Sequence, residues 1–402
     1  MTPARRGLAC GHRARWQRLA DALHCKHLGT CGGCALTTPY DEQLEQKRAW
    51  LADLLGIDVP PVIRSPRESG FRQKAAFVFG SPPRGRGLLM GLYAAGSNRI
   101  VPVDECPVHS PRANRIAFAL RDRLVRANVA AADAPGGVLR HIIVRATEDD
   151  REAVAMLVVT DNAKSLRTPI RGLMESPDAP DGFFININRR PGPLMVGGET
   201  IKIAGRNQVR ERGITGDDGD SLVDYLVSPD AFFQTNVGAA RVLVNLVLDA
   251  IPPNGRVLDL YCGSGLFSLP LAKRGAAVTA VEENRTAIDD LNTNVQLNRL
   301  DASRIRAIAG RVEDVIDSVA RTHWDAVILD PPRDGCEPGV LQAVFEDLAP
   351  PRVIYVSCNP EVLADDLPPI LDRGYRVERA QGVDMFPHTA HVETVVTLVR
   401  ER

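Results

Sequence analysis

Apolar and polar positions follow two different rhythms along this 402-residue chain, and the rhythm changes near residue 216. Between Pro60 and Thr215, short β-type runs recur at Ala75–Phe79, Leu88–Tyr93, Val138–Ala146, Ala153–Thr160 and Phe183–Ile187, broken by Gly and Pro. One helical stretch, Arg112–Asn128, lies among them, so the segment reads as an α+β or β-rich domain of its own. Ahead of it, Pro39–Ile57 reads as an amphipathic helix with Leu44, Lys47, Leu51, Leu54 and Leu55 along one side. Gly216–Asp220 is polar and turn-rich and reads as a link. Strands and helices then alternate. Helices are predicted at Asn236–Ile251, Leu266–Lys273, Asn284–Asn298, Val312–Ala320 and Gly339–Leu348. Strands fall between them at Arg256–Tyr261, Ala277–Glu282, Ile305–Ala309, Ala326–Leu329 and Arg352–Val356. A final pair, near Arg376–Val383 and Val392–Val399, predicts an antiparallel hairpin at the sheet edge. Short connections between βα units predict a doubly wound, mostly parallel α/β sheet. The expected domains are a basic arm (1–24), a cysteine-rich loop with its helix (25–58), a β-rich domain (59–215) and an α/β domain (216–402).

Composition adds few constraints. Hydrophobic residues make 44% and charged residues 25% of the chain, as in soluble globular proteins, and no apolar run reaches the length of a membrane span. The first residues carry Arg5, Arg6, Arg13, Arg15 and Arg18 without a continuous apolar stretch, which excludes a secretory signal and leaves a cytoplasmic location as the expectation. A net charge of −1 leaves the question of a nucleic-acid partner to local patches. The central segment offers one: Phe71, Arg72 and Lys74, then Arg84 and Arg86, later Arg140, Arg189 and Arg190. Cations beside rings suit single-stranded RNA, although each residue alone is more often a surface charge or a core Phe.

Eight cysteines in a long chain argue against a disulfide framework. Cys25, Cys31 and Cys34 fall within ten residues of a Gly-rich loop, which points to one metal centre. Cys106, followed by Pro107, is the best fourth ligand; Cys10, near His12, competes. All-thiolate ligation fits either a [4Fe–4S] cluster or structural zinc. Because Cys106 is remote in sequence, the centre would staple the N-terminal loop to the domain that follows, a structural role rather than electron transfer.

The chemistry gathers in the last domain. Cys358, in Ser357-Cys358-Asn359-Pro360, ends a buried strand, where open α/β sheets place their ligands. Pro360 suits the first turn of a helix, whose N-terminus is expected to lower the thiol pKa. The competing reading is a buried core cysteine. Asp259-Leu260-Tyr261-Cys262-Gly263-Ser264-Gly265 is a strand followed by a Gly-x-Gly turn, and Glu282 ends the next strand, placed to take ribose hydroxyls. NAD is disfavoured because Ser268 stands at the third glycine position. Asp330-Pro331-Pro332-Arg333 ends a further strand, and Glu393 could bring another carboxylate to the same cleft. His388 and His391 fit core or hydrogen-bonding roles better than a metal pair. Cys262 and Cys336 read as packing.

These motifs, with Phe232-Phe233-Gln234-Thr235-Asn236 and Asp384-Met385-Phe386-Pro387-His388-Thr389-Ala390-His391, resemble the RNA uracil-C5 methyltransferases that use S-adenosylmethionine. The resemblance covers nearly the whole chain after the basic arm. It implies a Rossmann-like class I methyltransferase domain joined to an N-terminal iron–sulfur loop and a β-rich RNA-binding domain. It selects a [4Fe–4S] cluster on Cys25, Cys31, Cys34 and Cys106, and makes Cys358 the nucleophile and Glu393 the general base. It places Gln234, Tyr261, Gly263, Glu282 and Asp330 on S-adenosylmethionine, and Phe232 near the target base. Phe71, Arg72, Lys74 and Arg140 are the further expected RNA contacts. Within the family the shorter 23S rRNA type is the nearest likeness, since no separate barrel fits before Cys25 and bacterial tRNA members usually lack the cysteines. Asp330 stands where that type can carry Asn, and Tyr261 where Phe is common. The implied partner is 23S rRNA, free or in an early assembly particle, with no membrane and a monomeric enzyme; a tRNA uridine or another 23S uridine is the alternative target, and a non-catalytic iron–sulfur RNA-binding protein a remote one.

Overall fold

The computed structural model describes residues 23–82, 87–190, 195–214 and 223–401. The basic arm with Cys10 and His12, and the pair Arg84 and Arg86, lie outside the described residues.

The chain enters through the cysteine-rich loop and helix α1 (Tyr40–Leu55), which Gly56 ends in the left-handed conformation. Next come β1 (Lys74–Gly80), β2 (Leu89–Tyr93), β3 (Ile100–Pro102), α2 (Pro111–Arg126), β4 (Leu139–Ala146) and β5 (Ala153–Val159). The central region closes with α3 (Arg167–Met174), β6 (Gly182–Ile187) and β7 (Glu199–Gly205). Its seven strands form one sheet in the order β3-β2-β1-β4-β5-β6-β7, antiparallel except between β5 and β6. Ser110 caps α2 by accepting from the Ala113 N–H, with Pro111 in the first turn. That helix buries Ile116, Leu120 and Leu124 against Phe77 and Ile142 on one sheet face. The opposite face, with Ile143, Val154, Met156 and Phe184, packs into the core of the last domain. Covering on both sides explains why β5 is buried at every residue and reads as a continuous apolar run.

Two strands that sequence patterning passed over join the halves. β8 (Val209–Ile214) pairs antiparallel with β9 (Val223–Val227) across the position expected to be a linker. Their buried Val209, Ile214 and Tyr225 sit in the core shared by both halves. The expected link, Gly216–Asp220, lies outside the described residues.

The last domain runs α4 (Val237–Ala250), β10 (Arg256–Leu260), α5 (Ser268–Lys273), β11 (Ala277–Glu282), α6 (Arg285–Leu297), β12 (Ile305–Ala309), α7 (Val312–Val319) and β13 (Ala326–Leu329). It ends with α8 (Pro338–Gln342), β14 (Arg352–Ser357), α9 (Pro360–Asp372), β15 (Tyr375–Val383) and β16 (Glu393–Arg400). The helix expected over Gly339–Leu348 is α8 followed by a π-helical turn, Ala343–Leu348. The sheet order is β12-β11-β10-β13-β14-β16-β15, a mixed α/β sheet in which only β16 and β15 run antiparallel to their neighbours. Because β16 inserts between β14 and β15, Glu393 enters the sheet beside the strand that carries Cys358.

Helix α1 closes against this edge. Lys47 donates to Asp384 Oδ1 at 2.7 Å, with both side chains almost wholly removed from water. Among the described residues no helix is long and apolar enough to cross a membrane.

Candidate active site

The carboxyl ends of β10, β11, β13 and β14 open onto a cleft of about 1220 Å³. Its walls hold Phe232, Gln234, Tyr261, Gly263, Glu282, Asp330, Cys358 and Glu393, so every sequence-expected cofactor and catalytic residue meets in one place. That convergence follows from parallel topology, which puts the loop after each strand at the same sheet edge.

One end is a backbone cradle. Tyr261 and Gly263 both have positive φ, 65° and 54°, and a Cβ at Gly263 would meet nothing within 4 Å. Gly265 is different: at φ 87° it lets Leu269 and Leu291 approach closely from behind the turn. The Gly263 N–H donates to Glu282 Oε2 at 3.0 Å and the Asn284 N–H to Oε1 at 2.8 Å, which fixes the carboxylate at the end of β11. Ser264 Oγ is buried without a partner at the same turn. An open glycine, a pinned carboxylate and an orphaned hydroxyl fit a nucleoside-bearing cofactor.

The other end holds the reactive groups. The last register of β14 with β16 is Ser357 against Thr394, so Cys358 and Glu393 stand one step further along neighbouring strands. Burial, then Glu393 and Asp330, push the Cys358 thiol up to about 11; Arg333 and the Cys358 N–H pull the other way. The expected lowering by the N-terminus of α9 is thus outweighed by burial and two carboxylates that only the fold brings near. Glu393 is pushed up to about 7 by burial, with Arg333 opposing. Asp330 is raised well above the ordinary carboxylate range by burial and by Glu393, Asp259 and Glu282. A cleft with this many carboxylates favours a cationic ligand.

Arg333, quoted in a motif without a role, and His391, expected in a core or hydrogen-bonding role, also face the cleft. Arg333 Nη2 donates to His391 Nδ1 at 3.0 Å, and its carbonyl accepts from Asn359 Nδ2 at 3.0 Å. Cys336 and Cys262 line the cleft too; the Cys336 thiol is raised to about 12 chiefly by burial, and Cys262 is also part of the buried core.

The expected RNA contacts divide. Phe232 is 63% exposed at the cleft, as a base-facing ring requires. Phe71 is 2% exposed inside the α2 core and cannot stack on RNA: its ring fills the space beneath the first sheet. Arg140 stands outside the cleft wall, donating from Nη1 to the carbonyls of Asn188 and Arg190 at 2.9 and 2.6 Å, so it braces backbone. Arg72 lines both the cleft and a neighbouring cavity. That cavity, about 530 Å³, is lined by Cys25, Cys31, Cys34 and Cys106, with Lys74 in its wall. Gly32 and Gly33 belong to both linings, so the cysteine loop forms the lip between them, which spacing alone did not reveal. Burial and the other thiols of the quartet push Cys34 up to about 12; burial leads and Cys31 adds to it in raising Cys106 to about 11. Buried thiols that oppose each other's ionisation are a donor set that a cationic centre relieves. Among the described residues, no group of three or more His, Cys, Asp or Glu side chains closes on a single ion position.

Comparison with known proteins gives a consistent picture. The family described as tRNA (Uracil-5-)-methyltransferase matches residues 217–401. An uncharacterised RNA methyltransferase of Caldanaerobacter subterraneus subsp. tengcongensis is 31% identical over 392 residues, covering 94% of this chain and 84% of that protein. Another, from Geobacter sulfurreducens, is 31% identical over 94% of this chain and 77% of its own length. Among solved structures, the Pyrococcus abyssi tRNA (uracil-54, C5)-methyltransferase in complex with S-adenosyl-L-homocysteine superposes with a TM-score of 0.73. It is 30% identical and is matched over 90% of this chain and 84% of that one.

Proposed function

The chain belongs to the RNA uracil-C5 methyltransferase family, and on that premise we propose that it methylates C5 of a uridine in 23S rRNA through a transient bond between Cys358 and C6. The observation that carries the reading is the cross-strand neighbourhood of Cys358 and Glu393 at one end of a cleft whose other end is the Gly263–Glu282 cradle.

Uracil C5 is a weak nucleophile, and a thiolate at C6 corrects that. As the Cys358 Sγ–C6 bond forms, the C5=C6 pair shifts into an enolate and electron density rises at C5. Gln234, Tyr261, Gly263, Glu282 and Asp330 would hold S-adenosylmethionine, whose sulfonium methyl would pass to C5 while the S–CH3 bonding pair stays on sulfur, leaving S-adenosylhomocysteine. Glu393 then removes the proton from C5; the C–H pair re-forms C5=C6 and Cys358 leaves as thiolate. Glu393 is suited to this step because its elevated pKa makes it a stronger base than an exposed glutamate. Phe232, exposed at the mouth, offers a face to a uridine that has left its stack.

The same reading gives Cys25, Cys31, Cys34 and Cys106 a [4Fe–4S] cluster, supported by a four-thiol cavity and by the family resemblance of their spacing. Its place is structural, tying the N-terminal loop to the central sheet. The enzyme is read as a cytoplasmic monomer acting on free 23S rRNA or an early assembly particle. A tRNA target is the second reading, favoured by the Pyrococcus abyssi structure, whose substrate is tRNA. Incubation with labelled S-adenosylmethionine separates the two: 5-methyluridine in unmodified 23S rRNA is expected. Label confined to tRNA selects the second reading, and label on an exocyclic amine contradicts both.

A further inference from the structure

The segment 384–391 turns sharply before β16, and one residue in it has every polar group engaged. The His388 N–H donates to Gln43 Oε1 at 2.9 Å. Its carbonyl accepts from the N–H groups of Ala35 and Leu36 at 2.8 and 3.0 Å. Nε2 lies 2.8 Å from the Glu68 carbonyl, which can only accept, so the proton sits on Nε2. Nδ1 is then the acceptor facing Gln43 Nε2 at 3.4 Å. The residue is 3% exposed and holds φ 67°, a left-handed conformation that a histidine keeps only when its surroundings fix it.

His388 is absent from the cleft wall, yet residues on both sides of it, Phe386 and Thr389 to His391, belong to that wall. Thr389 Oγ1 donates to the Phe386 carbonyl and accepts from the His391 N–H, at 2.8 and 3.2 Å, so the turn is braced from within. Its partners come from the N-terminal part of the chain, where Ala35 and Leu36 directly follow Cys34. We propose that His388 is a positioning residue: it locks the turn that delivers His391 and Glu393 to the cleft, using the N-terminal segment as its anchor. This rests on Glu393 being the base that removes the C5 proton.

The step that needs Glu393 is separable from those before it. A fluorine at C5 cannot leave as a proton does, so 5-fluorouridine RNA reports thiol addition and methyl transfer but stops ahead of base-assisted release. Replacement His388→Phe is expected to lower kcat on uridine RNA about 10- to 100-fold, the scale on which an ångström of misplacement acts. Affinity for S-adenosylmethionine and the rate of 5-fluorouridine adduct formation should stay near those of the unaltered enzyme. His388→Gln, whose amide can still donate to Glu68 and accept from Gln43, should restore most of the turnover. Gln43→Leu removes the α1 partner of both the His388 N–H and Nδ1 while leaving Nε2 on Glu68, and should give the same split, which keeps the test available if His388→Phe does not fold. Unchanged turnover in a folded variant, or a parallel fall in turnover and adduct formation, overturns the proposal. Glu393→Gln is the control: if it turns over normally, the reading of the base fails, whereas a slow Glu393→Gln beside a normal His388→Phe refutes only the role of His388.

Discussion

Cys358 and Glu393 sit one step beyond the Ser357–Thr394 pair, at the point where antiparallel β16 enters an otherwise parallel sheet. Glu393 is therefore close enough to work on the same pyrimidine carbon framework, and close enough to oppose ionisation of the thiol. The proposed base thus opposes ionisation of the proposed nucleophile. Arg333, which favours both the thiolate and the carboxylate, moderates that conflict.

The pH dependence follows with a definite sign. Both groups act in their deprotonated forms and both are raised, so activity is low in acid and climbs as pH rises. Glu393 sets the first rise, near pH 7. Iodoacetamide labelling of Cys358 in the free enzyme should be slow at neutral pH and accelerate toward pH 11. Replacement Arg333→Met should move that labelling curve to higher pH. A Cys358 that alkylates fully at pH 6 would show that the carboxylates do not govern it.

Glu282 holds its place through two backbone N–H groups and faces the cradle. Glu282→Gln removes the charge that would attract ribose hydroxyls and turns one of the two accepting oxygens into an amide nitrogen, which cannot accept from its backbone N–H. Affinity for S-adenosylmethionine, measured by calorimetry, is expected to fall roughly 10- to 100-fold, the value of a charge-assisted hydrogen bond. Unchanged affinity would remove Glu282 from the cofactor site.

Lys47 and Asp384 form the buried link between α1 and the catalytic edge. Lys47→Met leaves the carboxylate unpaired, with Asp384 Oδ2 already lacking a partner. The loss of unfolding free energy in urea should be about 3–5 kcal/mol. Adding Asp384→Asn to that variant should recover part of it, because the uncompensated charge goes. A loss under 1 kcal/mol would mean that the pair contributes only as a surface bridge does, roughly.

Protein purified without oxygen should contain iron and acid-labile sulfide in equal amounts, and Cys106→Ser should lose both together. Stoichiometric zinc in a colourless protein would replace the cluster with a single-ion site.

Much of this architecture is legible in the sequence. β11 and β13 coincide with their apolar runs because strands buried on both faces leave an unbroken signal, and β12, a half-exposed edge strand, is still marked by its short run Ile305–Ala309. Tyr261, Glu282, Asp330 and Cys358 are legible because each lies at the carboxyl end of a parallel strand, whereas Glu393 opens antiparallel β16 and Phe232 and Gln234 precede α4, so the motif resemblance gives these three their roles. Three things were hidden for physical reasons. Phe71 looked like an RNA contact beside Arg72 and Lys74, but adjacent strand-like residues point to opposite sides, and its side is the α2 core. β8 and β9 are short and carry Arg210, Glu211, Arg212 and Asp224, so their buried alternation was masked by charge. The thiol's environment depends on Glu393 and Asp330, which are distant in sequence from Cys358, and local rules saw only the helix behind it.

The most direct test uses RNA bearing 5-fluorouridine at the target, incubated with S-adenosylmethionine and then digested for peptide mapping. A stable crosslink is expected between the methylated pyrimidine and Cys358, absent from Cys358→Ser, whose turnover on uridine RNA should also vanish. A crosslink through Cys262 or Cys336, or undiminished turnover by Cys358→Ser, would contradict the mechanism at its root.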